Sequence, residues 1–455
     1  MTVAIGTAAR LPETGSPFRV AIVGAGPSGF YAAEALLRAP VDVHVDMFER
    51  LPVPYGLVRF GVAPDHPKLK QVTAVFDRIA SMPGFRFVGC VDVGTDVTIE
   101  MLGDCYHAVI LATGAAIGRQ MGIPGEMLPG SHQASDFVGW YNGHPDYRDC
   151  RFDLSGERAV IVGHGNVALD IARILMKTAD ELRHTDIAAH ALEALATSNI
   201  REVQVVGRRG MLETRFSAKE LQEFSTLADC DPTLDPADLA PGGVALPDGT
   251  DPERRAAVGM LASFAAHSSD KKRRCVFRFH LQPLAVEGKD RVERLVFSPT
   301  AGLSRRDGPM PVAIDCDLIF SSIGRRSAPV TGVAYDAARG VHANAGGRAA
   351  HSGLYVCGWS KRGPQGTIGT NRACAVETVE HVLADLSATG RRVLADADAL
   401  IDWIGRKDGI RVDFASWQAI NTAELERGRL AGKPREKFVS VDQMMAVVTN
   451  RSALC

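Results

Sequence analysis

The stretch Arg19-Val-Ala-Ile-Val-Gly24-Ala-Gly26-Pro-Ser-Gly29, continued by a helical run and closed by Val41-Asp-Val-His-Val-Asp-Met-Phe-Glu49, decides the fold. The apolar run Val20 to Val23 enters a tight turn in which Gly24, Gly26 and Gly29 keep G-x-G-x-x-G spacing. Pro27 suits a first helical turn, where its missing N–H is not needed, and Phe30, Ala33, Leu36 and Leu37 then share one helical face. A second apolar run ends at Glu49. In a dinucleotide site of this kind Gly24 allows the turn, Gly26 admits a pyrophosphate and Gly29 lets helix pack on strand. Glu49 then accepts from the ribose hydroxyls.

The same pattern returns. Ala159-Val-Ile-Val-Gly163-His-Gly165-Asn-Val-Ala168 is a second strand and glycine turn, with Leu169, Ile171, Ala172 and Leu175 on the helix after it. Its partner strand arrives late, as Val203-Gln-Val-Val-Gly-Arg208-Arg209, behind an inserted helical stretch from Thr178 to Ala196. Two arginines stand where the first copy has Glu49. An acid there favours a ribose with free hydroxyls, whereas arginines favour a 2′-phosphate through charge-assisted, often bidentate contacts. The second site is therefore expected to take NADP(H).

Around these units the chain divides unevenly. A loop carrying Pro52, Pro54, Pro64 and Pro67 follows Glu49 and is placed to line the first cofactor. Short β-type runs, Phe85 to Val93 and His107 to Ala112, close the first sheet, and Leu111-Ala-Thr-Gly114 is a candidate exit from it. Residues 115–158 read as an irregular connection and 226–266 as a variable surface insert. Lys271 to Arg274 reads as a solvated strand start, and Gly288-Lys-Asp290 as the turn of a hairpin. Leu318 to Gly324 reads as the return crossing. The return leg holds Leu354-Tyr-Val-Cys-Gly358-Trp359 and a Gly-rich loop into a helix capped by Thr370 or Asn371. Backbone N–H groups there suit a group that becomes anionic when reduced. The tail, with Trp403, Phe414, Trp417 and Ile420, is expected to pack as helices over the first domain.

Bulk properties set the frame. A length of 455 residues suggests two or three domains, and 46% hydrophobic with 23% charged residues is ordinary for a soluble globular chain. A net charge of −2 gives no electrostatic case for nucleic acid. No apolar run approaches the roughly 18 residues of a membrane span. Met1 to Pro17 reads as a tail, with neither signal nor transit pattern, so the expected location is cytoplasmic. The nine cysteines are scattered without a C-x-x-C pair, so no metal, iron–sulfur cluster or redox disulfide is signalled.

Two dinucleotide sites, the second nested in the sequence of the first, imply a tightly held flavin facing a transient nicotinamide. On this basis residues 1–18 form a tail, 19–115 with 331–455 a discontinuous FAD-binding domain, and 116–330 an NADP-binding domain. The fold class is α/β with two Rossmann-like dinucleotide-binding domains.

Longer stretches carry a specific resemblance. They are Gly24-Ala-Gly-Pro-Ser-Gly29, Gly56-Leu-Val-Arg59 with Gly61-Val-Ala-Pro-Asp-His-Pro-Lys68, Gly163-His-Gly-Asn-Val-Ala-Leu-Asp170, Val206-Gly-Arg-Arg-Gly210, and Gly358-Trp359 with Arg362 to Thr370. In these, in family order, the chain resembles the adrenodoxin reductase family, NADPH–ferredoxin reductases of glutathione-reductase-like fold. The resemblance implies that Ser28, Glu49, Leu57, Val93, Trp359 and the backbone of Gly366, Thr367 and Ile368 hold FAD. It implies that Arg119, His164, Gly165, Asn166, Val167, Arg208, Arg209, Glu220 and Gly366 hold NADP(H). It places His66, Asp170 and Glu223 near the flavin, with His66 and Glu223 as tuning or proton-relay residues. The implied reaction passes hydride from NADPH to FAD and single electrons to a ferredoxin-type iron–sulfur protein. Two positions depart from the pattern: His164 stands where a small amide is expected, and Gln365 where Thr is common.

Rival readings differ at identifiable places. A disulfide reductase of thioredoxin-reductase type needs the missing C-x-x-C, and a flavin subunit of glutamate-synthase type carries an N-terminal cysteine cluster absent from Met1 to Pro17. A flavin monooxygenase would release peroxide, and a nucleotide-sensing interaction protein would bind both dinucleotides without turnover.

Overall fold

The first strand, Phe18–Val23, buries Val20 and Ile22 on one side and Ala21 and Val23 on the other, so it needs cover on both faces. In the computed structural model it sits in a five-stranded, wholly parallel sheet. The order is Leu354–Val356, Ala108–Leu111, Phe18–Val23, Val43–Glu49, Phe85–Gly89. The structure describes residues 17–235, 238, 246–265, 270–300, 310–389, 393–408 and 412–452. The expected N-terminal tail lies outside them up to residue 16.

Helices Pro27–Leu37 and Thr370–Thr389 cover one face of this sheet, packing Phe30, Ala33 and Leu36 with Ala375, Val379 and Val382. Leu102, Tyr106, Leu400 and Ile401 cover the other. Full burial of such side chains contributes about 1.5–3 kcal/mol each, which is why a near-continuous apolar run settles as a central strand.

A second parallel sheet runs Ser131–Gln133, Leu318–Ser321, Arg158–Val162, Glu202–Val206, Arg273–Arg278, Cys230–Leu234. Its central strand alternates as the first does, Ala159 and Ile161 facing one core and Val160 and Val162 the other. Beside the second core lies an antiparallel three-stranded sheet, Leu281–Glu287, Arg294–Pro299 and Val312–Asp315, which contains the expected hairpin. The two chain crossings pair with each other: Ile117–Gly118 runs antiparallel to Arg325–Arg326, forming a two-stranded bridge between the lobes.

Several expectations change. Residues 115–158 hold an edge strand and the helix Ala134–Tyr141, whose Phe137, Trp140 and Tyr141 are buried. That helix has no side-chain cap, so its start carries no local signal. The expected surface insert supplies core. Cys230–Leu234 is an edge strand of the second sheet, and helix Pro252–Phe264 buries Ala257, Val258, Leu261 and Phe264. Residues 236–237, 239–245 and 266 of that stretch lie outside the described ones. Leu318–Ser321 is a strand of the second sheet, and the return crossing follows it. Thr370 begins its helix without capping it, since its hydroxyl and the Asn371 amide donate back to the Thr367 carbonyl. In the tail Trp417 and Ile420 are buried, but Trp403 is 42% exposed. Among the described residues no helix is long and apolar enough to cross a membrane.

Candidate functional site

Both glycine turns join a central strand to an eleven-residue helix, Pro27–Leu37 in the first and Asn166–Met176 in the second. Gly24 takes φ +106°, and a Cβ there would lie 2.6 Å from the Ala112 carbonyl oxygen. A Cβ on Gly29 would lie 2.1 Å from the Gly24 carbonyl oxygen, so helix and turn touch. A Cβ on Gly26 or Gly165 would meet nothing within 4 Å. These two glycines cap their helices without a side-chain hydrogen bond, as Val72, Gln133 and Ala188 also do, while Thr98, Thr178, Ser217, Asp251 and Asp413 cap theirs. Both turns thus present bare helix N–H groups beside the open space at Gly26 and Gly165, which is what a phosphate requires.

The strand ends next to the turns differ. Glu49 accepts from Ala25 N–H at 3.0 Å and Leu51 N–H at 3.2 Å. Burial pushes its carboxyl above the usual range against those two donors. Arg208 and Arg209 follow the Glu202–Val206 strand, are exposed, and have no carboxylate partner among the described residues. By contrast Lys271 pairs with Asp231 at 3.2 Å and Arg274 with Glu202, which fits the solvated strand start expected there.

A second cradle reaches the first turn from the far end of the chain. Gly358, at φ +68°, ends the Leu354–Val356 strand, and a Cβ there would overlap Ser28 Oγ. Ser28 Oγ donates to Asn371 Oδ1 at 3.2 Å, and Arg362 donates to the same oxygen at 2.6 Å. Trp359 Nε1 donates to the Gln365 carbonyl at 3.1 Å, holding the loop that contains Gly366, Thr367 and Ile368. Leu57 starts a short helix behind Gly56, whose added Cβ would meet Gly26 Cα at 3.2 Å. Val93, beyond the outer strand, is buried and bridges to Val97.

The lobes meet where the proline-rich loop reaches the second helix. His66 Nε2 is 2.9 Å from Glu223 Oε2, and His66 Nδ1 is 3.9 Å from Asp170 Oδ1. The bond to Glu223 raises the imidazole's proton affinity, with burial opposing it. Burial opposes ionisation of Glu223 too, yet His66 and Arg173 hold its carboxyl below the ordinary value. His66, Asp170 and Glu223, widely separated in sequence, are therefore brought together.

The comparisons agree on one relationship. A family profile described as pyridine nucleotide-disulphide oxidoreductase matches residues 18–225. NADPH-ferredoxin reductase FprA of Mycobacterium tuberculosis is 42% identical, over 95% of this chain and 99% of its own. The mitochondrial NADPH:adrenodoxin oxidoreductase of Salvelinus fontinalis is 41% identical, over 94% and 91%. A solved structure of M. tuberculosis FprA in complex with NADPH superposes with a TM-score of 0.90 over 95% of this chain and all of that one, at 41% identity. The chain belongs to the NADPH–ferredoxin reductase family.

Against the reductase family's pattern the two departures acquire physical content. The His164 imidazole lies between Phe216 and Phe279, at ring-centroid distances of 5.8 and 4.7 Å. Its Nε2 is 3.3 Å from the Val205 carbonyl, and burial lowers its pKa to about 4. Only Gly207 leaves room for it, since a Cβ there would sit 2.1 Å from His164 Nδ1. The ring is therefore packed into the lobe, leaving the turn's backbone to face a ligand. Gln365 is exposed and anchored through its carbonyl, so its side chain is free to vary.

Two other assigned residues are engaged locally. Arg119 donates to the Arg339 carbonyl at 2.7 Å beside the two-stranded bridge. Glu220 Oε2 accepts from Ser217 N–H at 2.7 Å in a capping box that starts helix Ala218–Ser225. Two residues were missed from sequence. Arg173 and Asp65 form a bidentate pair across the lobes, at 2.6 and 2.9 Å. The i,i+3 spacing of Asp170 and Arg173 was visible, but its cross-lobe partner was not.

Proposed function

We propose that the protein is an FAD-containing NADPH–ferredoxin reductase of the cytoplasm, in which residues 19–115 with 331–455 bind FAD and 116–330 bind NADP(H). The carrying observation is the pair of uncapped glycine turns with opposite ribose-end charge, Glu49 in one and Arg208 with Arg209 in the other. The residues present fit both groups, because Gly26 and Gly165 open onto free space while neighbouring glycines are closed by backbone.

FAD would be held by Ser28, Glu49, Leu57, Val93, Trp359 and the backbone of Gly366 to Ile368. NADPH would be held by the backbone of His164 to Val167, with Arg208 and Arg209 on the 2′-phosphate and Arg119, Glu220 and Gly366 beside it. Bound FAD would supply a two-electron acceptor for hydride from NADPH and a one-electron donor to a small iron–sulfur protein. The chain's own part is positioning. The bare helix ends hold the pyrophosphates, the arginines select the phosphorylated ribose, and Gly358 to Asn371 supply N–H groups where negative charge develops. His66 and Glu223 hold a proton between the lobes at a 2.9 Å contact.

The test is a spectrum and two donors. Purified protein should be yellow, be bleached far faster by NADPH than by NADH, and reduce cytochrome c only when a ferredoxin is added. A colourless protein, or equal use of NADH, would sink the reading.

A further inference from the structure

One of the residues that tie the two lobes is neither a glycine-turn residue nor one of the assigned cofactor contacts. Arg173 lies on the helix of the second turn with its side chain 1% exposed. Its Nε and Nη2 grip Asp65 of the first lobe at 2.6 and 2.9 Å, and Nη2 also donates to Asp170 at 2.7 Å. Its Nη1 is 3.2 Å from Glu223 Oε2, yet makes no well-directed hydrogen bond and is buried. That same oxygen is the one 2.9 Å from His66 Nε2. Since Asp65 and His66 are consecutive, one guanidinium holds the residue before His66 on one side and the carboxylate that His66 bonds on the other.

We propose that Arg173 is a positioning residue that fixes the orientation and charge state of the His66–Glu223 pair by clamping Asp65 against the second lobe. The inference rests on the reading of this junction given above. An arginine suits the task because its planar fork engages two carboxylates at fixed angles, which an ammonium cannot do.

The groups around His66 give the proposal a sign. Asp65 on its own loop, Asp170 on the second helix and Glu223 on helix Ala218–Ser225 each favour the imidazolium, and Arg173 opposes it. Lys177 lies 3.3 Å from Asp65, Lys70 also acts on the lobe contact, and the buried Tyr141 hydroxyl faces Asp170 and Arg173. Removing the charge of Arg173 and removing that of Asp65 must therefore push His66 in opposite directions. A residue that merely braced the fold would let His66 relax toward ordinary histidine behaviour, which is downward in both cases.

The experiment follows the pH dependence of His66 modification by diethylpyrocarbonate, read by peptide mass spectrometry on holoprotein. Arg173→Met should move the inflection up and Asp65→Asn should move it down. Arg173→Lys, keeping charge but losing the fork, should leave the inflection near that of the parent while kcat falls of the order of tenfold or more and KM for NADPH holds. Should Arg173→Met fail to accumulate, the uncharged double variant Asp65→Asn with Arg173→Met returns the inflection toward the parent value. Downward movement in all variants, or no movement, overturns the proposal. A His66→Gln variant separates the two levels: full turnover in it would defeat the assigned role of His66, while opposite shifts of the inflection in Arg173→Met and Asp65→Asn would still uphold the clamp.

Discussion

The first glycine turn ends its partner strand on Glu49, whose carboxylate is stitched to the backbone of that same turn, whereas the second ends on Arg208 and Arg209, exposed and without a carboxylate partner among the described residues. Distant segments also approach the first, Gly56 beside the Gly26 Cα and Gly358 against Ser28, while Gly26 itself stays open. At the second, the Ser322 carbonyl approaches Gly163, and His164 packs against Phe216 and Phe279. On the proposed reading, one backbone motif serves a resident cofactor in one copy and a visiting one in the other. A ligand enclosed by distant segments leaves slowly, and one held chiefly by exposed cations and bare N–H groups can exchange.

The largest expected effect breaks the comparison outright. A valine at Gly29 must displace the Gly24 carbonyl, which an added Cβ would approach at 2.1 Å. Gly29→Val should be purified colourless, as an absorption spectrum shows. Gly163→Val, facing the Ser322 carbonyl at 2.2 Å, should keep its yellow colour and lose bleaching by NADPH. Loss of flavin from both variants would mean that the turns do not serve separate cofactors.

The next effect sharpens the charge contrast. Arg208→Ser with Arg209→Ser should raise KM for NADPH by roughly 10²-fold or more, since a hydrogen bond to a charged group contributes about 1.5–3 kcal/mol. KM for NADH should stay within a factor of about two. Steady-state kinetics with both donors decides it.

Acid should separate the lobes more gently. His164 is held neutral with a pKa near 4, below the usual histidine value of 6.5. Its unfolded form takes up a proton across that window, so the stability it contributes is full above pH 6.5 and declines as pH falls toward 4. His164→Phe should flatten that part of a melting-temperature profile. Asp65, held at about 2 by Arg173, keeps its contribution above pH 3.8 and loses it only below. A profile unchanged in His164→Phe between pH 6.5 and 4 would refute the assignment.

The smallest effect concerns Glu49. Glu49→Gln leaves one acceptor oxygen for its two N–H donors, so flavin retention should weaken only a few-fold, on the scale of about 1 kcal/mol per neutral hydrogen bond. Dialysis against salt, followed by the flavin absorbance, measures it.

Much of this contrast was legible in the chain. Gly24 to Glu49 and Gly163 to Arg209 announced themselves because a glycine turn between an apolar strand and an amphipathic helix is a local pattern, with its charge written at the strand end. The edge strands Ser131–Gln133 and Cys230–Leu234 were not, because three to five residues at a sheet margin carry no periodicity of their own. Helix Pro252–Phe264 hid for a related reason: its start is capped by Asp251, but its buried stripe of Ala257, Val258, Leu261 and Phe264 is short and sits in a polar context. The family resemblance named His66 and Glu223, and no spacing along the chain could have paired residues 157 positions apart.

What the sequence determined by itself is the pair of cofactor seats and the sign of charge at each, since turn geometry and strand-end chemistry are properties of neighbouring residues. What only the tertiary structure decided is everything carried across the lobes. Asp65 meets Arg173 and His66 meets Glu223 because two separately packed sheets are joined by a short antiparallel bridge, and within the first lobe Ser28 meets Asn371 because the return leg rejoins the first sheet. Such contacts depend on how whole cores are stacked, and no single stretch of chain contains that information.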